Sequence, residues 1–113
     1  LDGTDAHIEG NLFLNVRQDA VRSSSANAIA SGAADGEVSE LTICRNLFYN
    51  VDHLLLLKDG GRAVVQNNTV VKVAENPLDS NPIAVINWGE PNRSGALPGG
   101  NCLFEGNLVW QVF

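Results

Sequence analysis

Four stretches of this chain are near copies of one another. IEGNLFLNV (8–16), ICRNLFYNV (43–51), VQNNTVVKV (65–73) and FEGNLVWQV (104–112) each carry an asparagine at the fourth place. With that residue as zero, the zero positions are Asn11, Asn46, Asn68 and Asn107. Three residues earlier stand Ile8, Ile43, Val65 and Phe104; two later, Phe13, Phe48, Val70 and Val109; five later, Val16, Val51, Val73 and Val112. An internal repeat of this kind constrains the fold more tightly than any local propensity, because each copy must occupy an equivalent place.

The spacing selects the architecture. Successive asparagines are 35, 22 and 39 residues apart. Twenty-two residues accommodate three short strands and three turns, one coil of a parallel β-helix, and the longer intervals read as the same coil with 13 and 17 residues inserted. The repeated unit is rich in β-branched and aromatic residues with period-two alternation, which excludes helix. A further strand is expected after each motif, at Asp19–Ser23 (DAVRS), His53–Leu57 (HLLLL) and Ile83–Trp88 (IAVINW). The second of these, almost wholly apolar, calls for cover on both faces or for a loop lying over it.

The recurring asparagine follows from the recurring corner. Backbone groups at a corner lack sheet partners, and an inward-pointing Asn can bond them while stacking on the Asn of the next coil. Each net bond contributes about 1 kcal/mol, whereas an unpaired buried amide costs about 1–3 kcal/mol. Such a stack favours Asn at every level, so Asn11, Asn46, Asn68 and Asn107 are read as structural.

Composition narrows the partners. At 113 residues and 44% hydrophobic, the chain is one domain with a modest core. The net charge of −6, with scattered basic residues, argues against nucleic acid and anionic lipid. No apolar run approaches a membrane span. The absence of methionine suggests a processed chain or a segment of something longer. Cys44 and Cys102 are too few for a disulfide scaffold and too far apart for a zinc motif. The register points them to opposite faces, so two free thiols are expected. Trp110, Val112 and Phe113 would lie at an open end of the stack, which points to copies stacking end to end or exchanging strands, or to a longer β-helix.

The pattern of a large apolar residue, two variable positions, Asn, two apolar residues and a later Val, at about 22 residues per coil, resembles the right-handed parallel β-helix of the pectate-lyase-like superfamily from about Ala6 to Val112. LLLLKDGGRAVVQNNTV is distantly similar to chondroitinase-B-type and alginate lyases, without their Arg-His-Gly run. The resemblance implies an all-β solenoid of about four coils with two long insertions. It further implies a secreted, periplasmic or cell-surface setting and an association with polysaccharide. It leaves the activity open between a binding module, a structural or adhesive segment and a lyase.

The insertions locate the candidate site. The last insertion reads as split, AENPLDSNP (74–82) lengthening one corner and GEPNRSGALPGG (89–100) the corner after Trp88. Ser24–Glu40 and the segment after Trp88 are both read as lying between the second strand of a coil and the next motif, where the middle coil has only KDGGR (58–62). Two long loops flanking one tight turn make a groove. Its floor would hold Lys58, Asp59 and Arg62, and its walls Glu37, Glu40, Trp88, Glu90 and Arg93. An aromatic face with charged groups around it suits a saccharide. By the resemblance, Lys58 or Arg62 would be the proton-abstracting base of a lyase, and Asp59 with Glu37 or Glu90 would hold Ca²⁺. The bland alternative is that KDGGR is a solvated turn, since Asp-Gly and Gly-Gly are turn dipeptides. His7 and His53 have no neighbours at metal-ligand spacing and read as surface or packed imidazoles. Glu9 and Glu105 share one repeat position, three coils or roughly 14 Å apart, too far for a glycosidase pair. A Lys58→Ala, Arg62→Ala double variant should lose any saccharide binding; full retention in a calorimetric titration would rule out this placement of the groove.

Overall fold

The computed structural model describes residues 5–21, 26–31, 38–78, 85–88 and 100–112, and of Trp88 the backbone alone. The described residues are all-β: β1 (Asp5–Glu9), β2 (Leu12–Leu14), β3 (Asn27–Ala30), β4 (Glu40–Cys44), β5 (Leu47–Tyr49), β6 (His53–Leu57), β7 (Arg62–Gln66), β8 (Thr69–Lys72), β9 (Ile86–Trp88), β10 (Cys102–Glu105) and β11 (Leu108–Gln111). They form three sheets, ordered β1-β4-β7-β10, β2-β5-β8-β11 and β3-β6-β9. Every pairing is parallel. Consecutive strands therefore enter different sheets, and the chain visits the three in rotation.

The register reproduces the motif spacing. Ile8 pairs Ile43, Ile43 pairs Val65, and Val65 pairs Phe104 in the first sheet. Phe13, Phe48, Val70 and Val109 line up in the second, where the rings of Phe13 and Phe48 stack with centroids 4.6 Å apart and planes 5° from parallel. Equivalent side chains thus pack on one another from copy to copy. With Ile29, Leu54, Leu55 and Leu57 of the third sheet, the column members Ile43, Val65, Phe48 and Val70 build one core cluster fed by all three sheets, and Ile8 and Phe13 pack against it. The middle copies are the best covered: Ile43, Phe48, Val65 and Val70 are at most 1% exposed. In β6, His53, Leu54, Leu55 and Leu57 are all buried, as the apolar run required. Phe104 and Val109 occupy the same columns on β10 and β11 yet are exposed, because these are edge strands.

The corner between the first two sheets is an amide ladder. Asn46 Oδ1 accepts from both the backbone N and the Nδ2 of Asn11, at 2.9 and 3.1 Å. Asn68 Oδ1 does the same for Asn46 at 3.0 and 3.1 Å, and Asn107 Oδ1 for Asn68 at 2.9 and 3.0 Å. The second Nδ2 hydrogen reaches back to the preceding copy: Asn46 to Ile8 O, Asn68 to Ile43 O and Asn107 to Val65 O, at 2.8–2.9 Å. The Asn carbonyls accept from the first residue of the next strand, as from Leu47 to Asn11 and from Thr69 to Asn46. The residue before each ladder asparagine is left-handed: Gly10, Arg45, Asn67 and Gly106 have φ of 71°, 54°, 55° and 64°. That conformation is easy for Gly, tolerable for Asn and unfavourable for Arg.

One expected strand lies elsewhere. In the first copy the third-sheet strand is NAIA (27–30), and Asp19–Val21 of the expected DAVRS is irregular, with Val21 almost fully exposed. Strand propensity favoured the Val in DAVRS over an Ala-rich stretch, but strand preference mostly reflects packing. Ile29 opposite Leu55 buries a side chain against the core, and no residue of the described part of DAVRS does so. The first insertion is therefore also shared between two corners. Ile29 pairs Leu55, an offset of 26, against 35 in the first two sheets. Most of the first insertion thus precedes β3. Leu55 pairs Ile86, an offset of 31 against 39, so the last insertion divides between residues 73–85 and 89–101.

Two stability predictions follow from the ladder. Asn68→Ala removes the acceptor of both Asn46 donors and the donor to Ile43 O in a site 1% exposed. It should cost about 2–4 kcal/mol by denaturant unfolding, and clearly more than Asn11→Ala at the exposed end of the ladder. Gly106→Ala drives its Cβ into Asn67 Oδ1 at a positive φ, whereas a Cβ on Gly10 meets open space. Both should destabilise, by about 1 kcal/mol or more, with Gly106→Ala the worse.

Candidate functional site

The outward face of the first sheet carries the described chemistry. Alternation along β1, β4, β7 and β10 sets three outward rows across the strands: Asp5, Glu40 and Arg62; His7, Thr42, Val64 and Leu103; Glu9, Cys44, Gln66 and Glu105. The first two rows apart from Leu103, with Ala6, Leu41, Ala63 and Asn101, line an open groove of about 590 Å³. At its rim Arg62 Nη1 lies 3.1 Å from Glu40 Oε1, an exposed cross-strand ion pair.

The charged residues expected to share one groove, floor and wall, are divided between two places. Arg62 and Glu40 line this groove; Lys58 and Asp59 do not. Residues 58–61 form a tight turn closed by a 3.0 Å bond from Gly61 N to Lys58 O. Asp59 and Gly60 have φ of 54° and 77°, positive at both central positions as in a type I′ turn. The Asp59 side chain is buried, with Lys58 Nζ 4.0 Å from its Oδ2. Ser31 braces the turn, accepting from Lys58 N and donating to Leu56 O, both at 3.3 Å. Glu37, Glu90 and Arg93 lie outside the described residues, as does the Trp88 side chain. For calcium, no cluster of three or more His, Cys, Asp or Glu donors among the described residues includes Asp59.

A second polar centre, which sequence reasoning missed, sits at the corner between the second and third sheets. Asp52, 3% exposed, accepts from Gln18 N at 2.7 Å and Asn76 Nδ2 at 2.8 Å, and lies 3.6 Å from Arg17 Nε. Lys72 Nζ donates to Asp52 O at 2.8 Å. Arg17 also donates to Asn50 Oδ1 and to Glu75 O, at 3.0 and 2.8 Å. These contacts tie 15–18 and 73–76, the starts of two long connections, to the short connection at 50–52. The centre is fully occupied by its own partners and works as a clasp. Its signal in the sequence was faint: Asn15 and Asn50 share a repeat position and are joined at 2.7 Å.

A third cluster joins residues far apart in the chain. His7 Nε2 lies 2.7 Å from Glu9 Oε2 and 3.5 Å from Cys44 Sγ. Arg45 Nε donates to Glu9 Oε1 at 2.6 Å, and its Nη2 contacts the same oxygen. The hydrogen bonds from His7 and then Arg45 hold the Glu9 carboxyl below the usual carboxylate range, and Glu9 in turn pushes the Arg45 guanidinium up. His7 thus has the neighbours that sequence spacing denied it. The repeat alignment contained the signal, since Glu9 and Cys44 both stand two before the ladder asparagine.

Both cysteines are free, Cys44 in an outward row and Cys102 in the inward row with Ala63 and Leu41. No helix among the described residues is long and apolar enough to cross a membrane. No family model, curated protein or solved structure matches this chain.

Two outcomes are expected. Asp52→Ala removes the acceptor of Gln18 N and one of the two acceptors of Asn76 Nδ2, which keeps Gln18 O, and should cost about 1–3 kcal/mol in urea unfolding. Burial pushes the Cys102 thiol up, which lowers its thiolate fraction at neutral pH. In a Cys44→Ser background, iodoacetamide should modify Cys102 more slowly at pH 8 than in the urea-unfolded chain, the gap narrowing as pH rises.

Proposed function

We propose that the three parallel sheets are the faces of a right-handed parallel β-helix of about four coils, and that this segment is an extracytoplasmic carbohydrate-associated module. The rotation of consecutive strands through the sheets supports the first part, since each return to a sheet is a parallel crossover and such crossovers are right-handed in about 98% of cases. The observation that carries the second is the groove on the first sheet's outer face. It is open and crosses three strands, β1, β4 and β7. Polar groups from Asp5, His7, Thr42 and Asn101 surround the Arg62–Glu40 pair, which offers both a donor fork and an acceptor. That combination suits hydroxyls and a uronate carboxylate, which Arg grips bidentately. A lyase step with Lys58 or Arg62 as base has less behind it: Lys58 does not line the groove, and the Arg62 guanidinium faces Glu40.

The deciding experiment is calorimetric titration with neutral and uronate oligosaccharides, with and without calcium. Uronate binding that weakens about tenfold in Arg62→Ala, the loss of one charge-assisted contact, is the expected result. No binding across the panel, or binding indifferent to Arg62, overturns the reading.

A second reading is a structural or adhesive segment that self-associates. It is favoured by Leu108, Val109 and Trp110 on edge strand β11 and Leu12 and Leu14 on edge strand β2, all exposed. Light scattering that shows only monomer at high concentration removes it.

A further inference from the structure

We propose that His7, Glu9 and Cys44 form a binding site for a divalent metal ion of the zinc type on the outer face of the first sheet. The imidazole, carboxylate and thiol donor atoms all lie within 4.8 Å of one another. Parallel pairing of β1 with β4 sets Glu9 directly opposite Cys44 and His7 one outward row away, so one backbone register delivers all three donors. In a tetrahedral zinc site, metal–ligand lengths near 2.0–2.3 Å put N and S about 3.6 Å apart and N and O about 3.4 Å apart. The His7 Nε2 to Cys44 Sγ distance is already 3.5 Å. The His7 Nε2 to Glu9 Oε2 distance, 2.7 Å, must open by several tenths of an ångström. His7 and Glu9 are the two exposed members and can swing apart, while Cys44, 6% exposed, is the fixed one.

The donor chemistry selects the ion. A thiolate and an imidazole favour zinc and its borderline neighbours over calcium or magnesium, which take oxygen. Arg45 occupies Glu9 Oε1 and leaves Oε2 facing His7, the role of an outer partner that orients a ligating carboxylate. Thiolate, carboxylate and guanidinium together leave a site of net charge −1 before the ion enters. Binding forms the N, O and S bonds to the metal, releases the Cys44 thiol proton to solvent, and moves the Nε2 proton that His7 directs at Glu9 to Nδ1 or to solvent. Three protein donors leave a fourth position for water or a ligand, on the face that also carries the groove. The site stands independently of the saccharide reading.

The test is titration of the full chain with Zn²⁺ in competition with a chromophoric chelator, and with Co²⁺ followed by absorption. One equivalent should bind, with a thiolate-to-cobalt charge-transfer band present in wild type and Cys102→Ser and absent in Cys44→Ser. His7→Ala and Glu9→Gln, both exposed, should weaken zinc by at least about tenfold while leaving the far-ultraviolet spectrum unchanged. They decide the matter if Cys44→Ser fails to fold. No binding, binding unchanged by His7→Ala and Glu9→Gln, or a charge-transfer band that follows Cys102 instead, overturns the proposal.

Discussion

The rest of the structure hangs on a single side-chain amide used the same way at each level. An Asn Oδ1 accepts two N–H groups from the copy before it, its Nδ2 supplies one hydrogen to a carbonyl of that copy and another to the amide of the copy after. No other residue type offers a two-lone-pair acceptor and two donors at that reach, and a buried member that fails leaves several groups unpaired at once. The ladder therefore fixes both the direction of the corner and the axial register. With the register set, equivalent apolar residues must stack on one another, which is why the core is built from like on like.

What the fixed register does on the inside for packing, it does on the outside for chemistry. Rows of outward side chains are forced into contact whatever their sequence distance, so Glu40 meets Arg62 and Glu9 meets Cys44. The αL position before each ladder asparagine is filled by Gly, Arg, Asn and Gly. Arg45 alone accepts the steric cost of a long side chain there, and in return its guanidinium lies against Glu9. At the opposite corner the Asp52 clasp ties two long connections to a short one with buried hydrogen bonds rather than apolar contacts. Both devices sit where the chain turns, because backbone groups that lack sheet partners have to be met by side chains.

The strands most visible in the sequence were those repeated four times, and they lie where the alignment puts them. The third-sheet strands were legible only where their composition was strong, as in HLLLL. NAIA was missed because alanine is a poor advertisement for a strand, and DAVRS was mistaken for it because one valine is a poor proof. Its displacement puts most of the first insertion ahead of β3, and the KDGGR turn is a tight turn in which Asp59 is buried. The cluster around Cys44 was missed for another reason. Search by local spacing looks along the chain, while in a parallel stack the neighbours of a residue lie one repeat away.

The sequence by itself determined the period, the ladder and the inward columns, because a hydrogen-bonded asparagine stack and like-on-like packing allow only one alignment of the copies. Only the tertiary structure decided where β3 falls within its long connection, since that rests on which short apolar stretch buries a side chain against Leu55. It also decided which outward groups become partners. Outward residues carry no packing pattern of their own, and their contacts exist only once neighbouring copies lie a strand spacing apart.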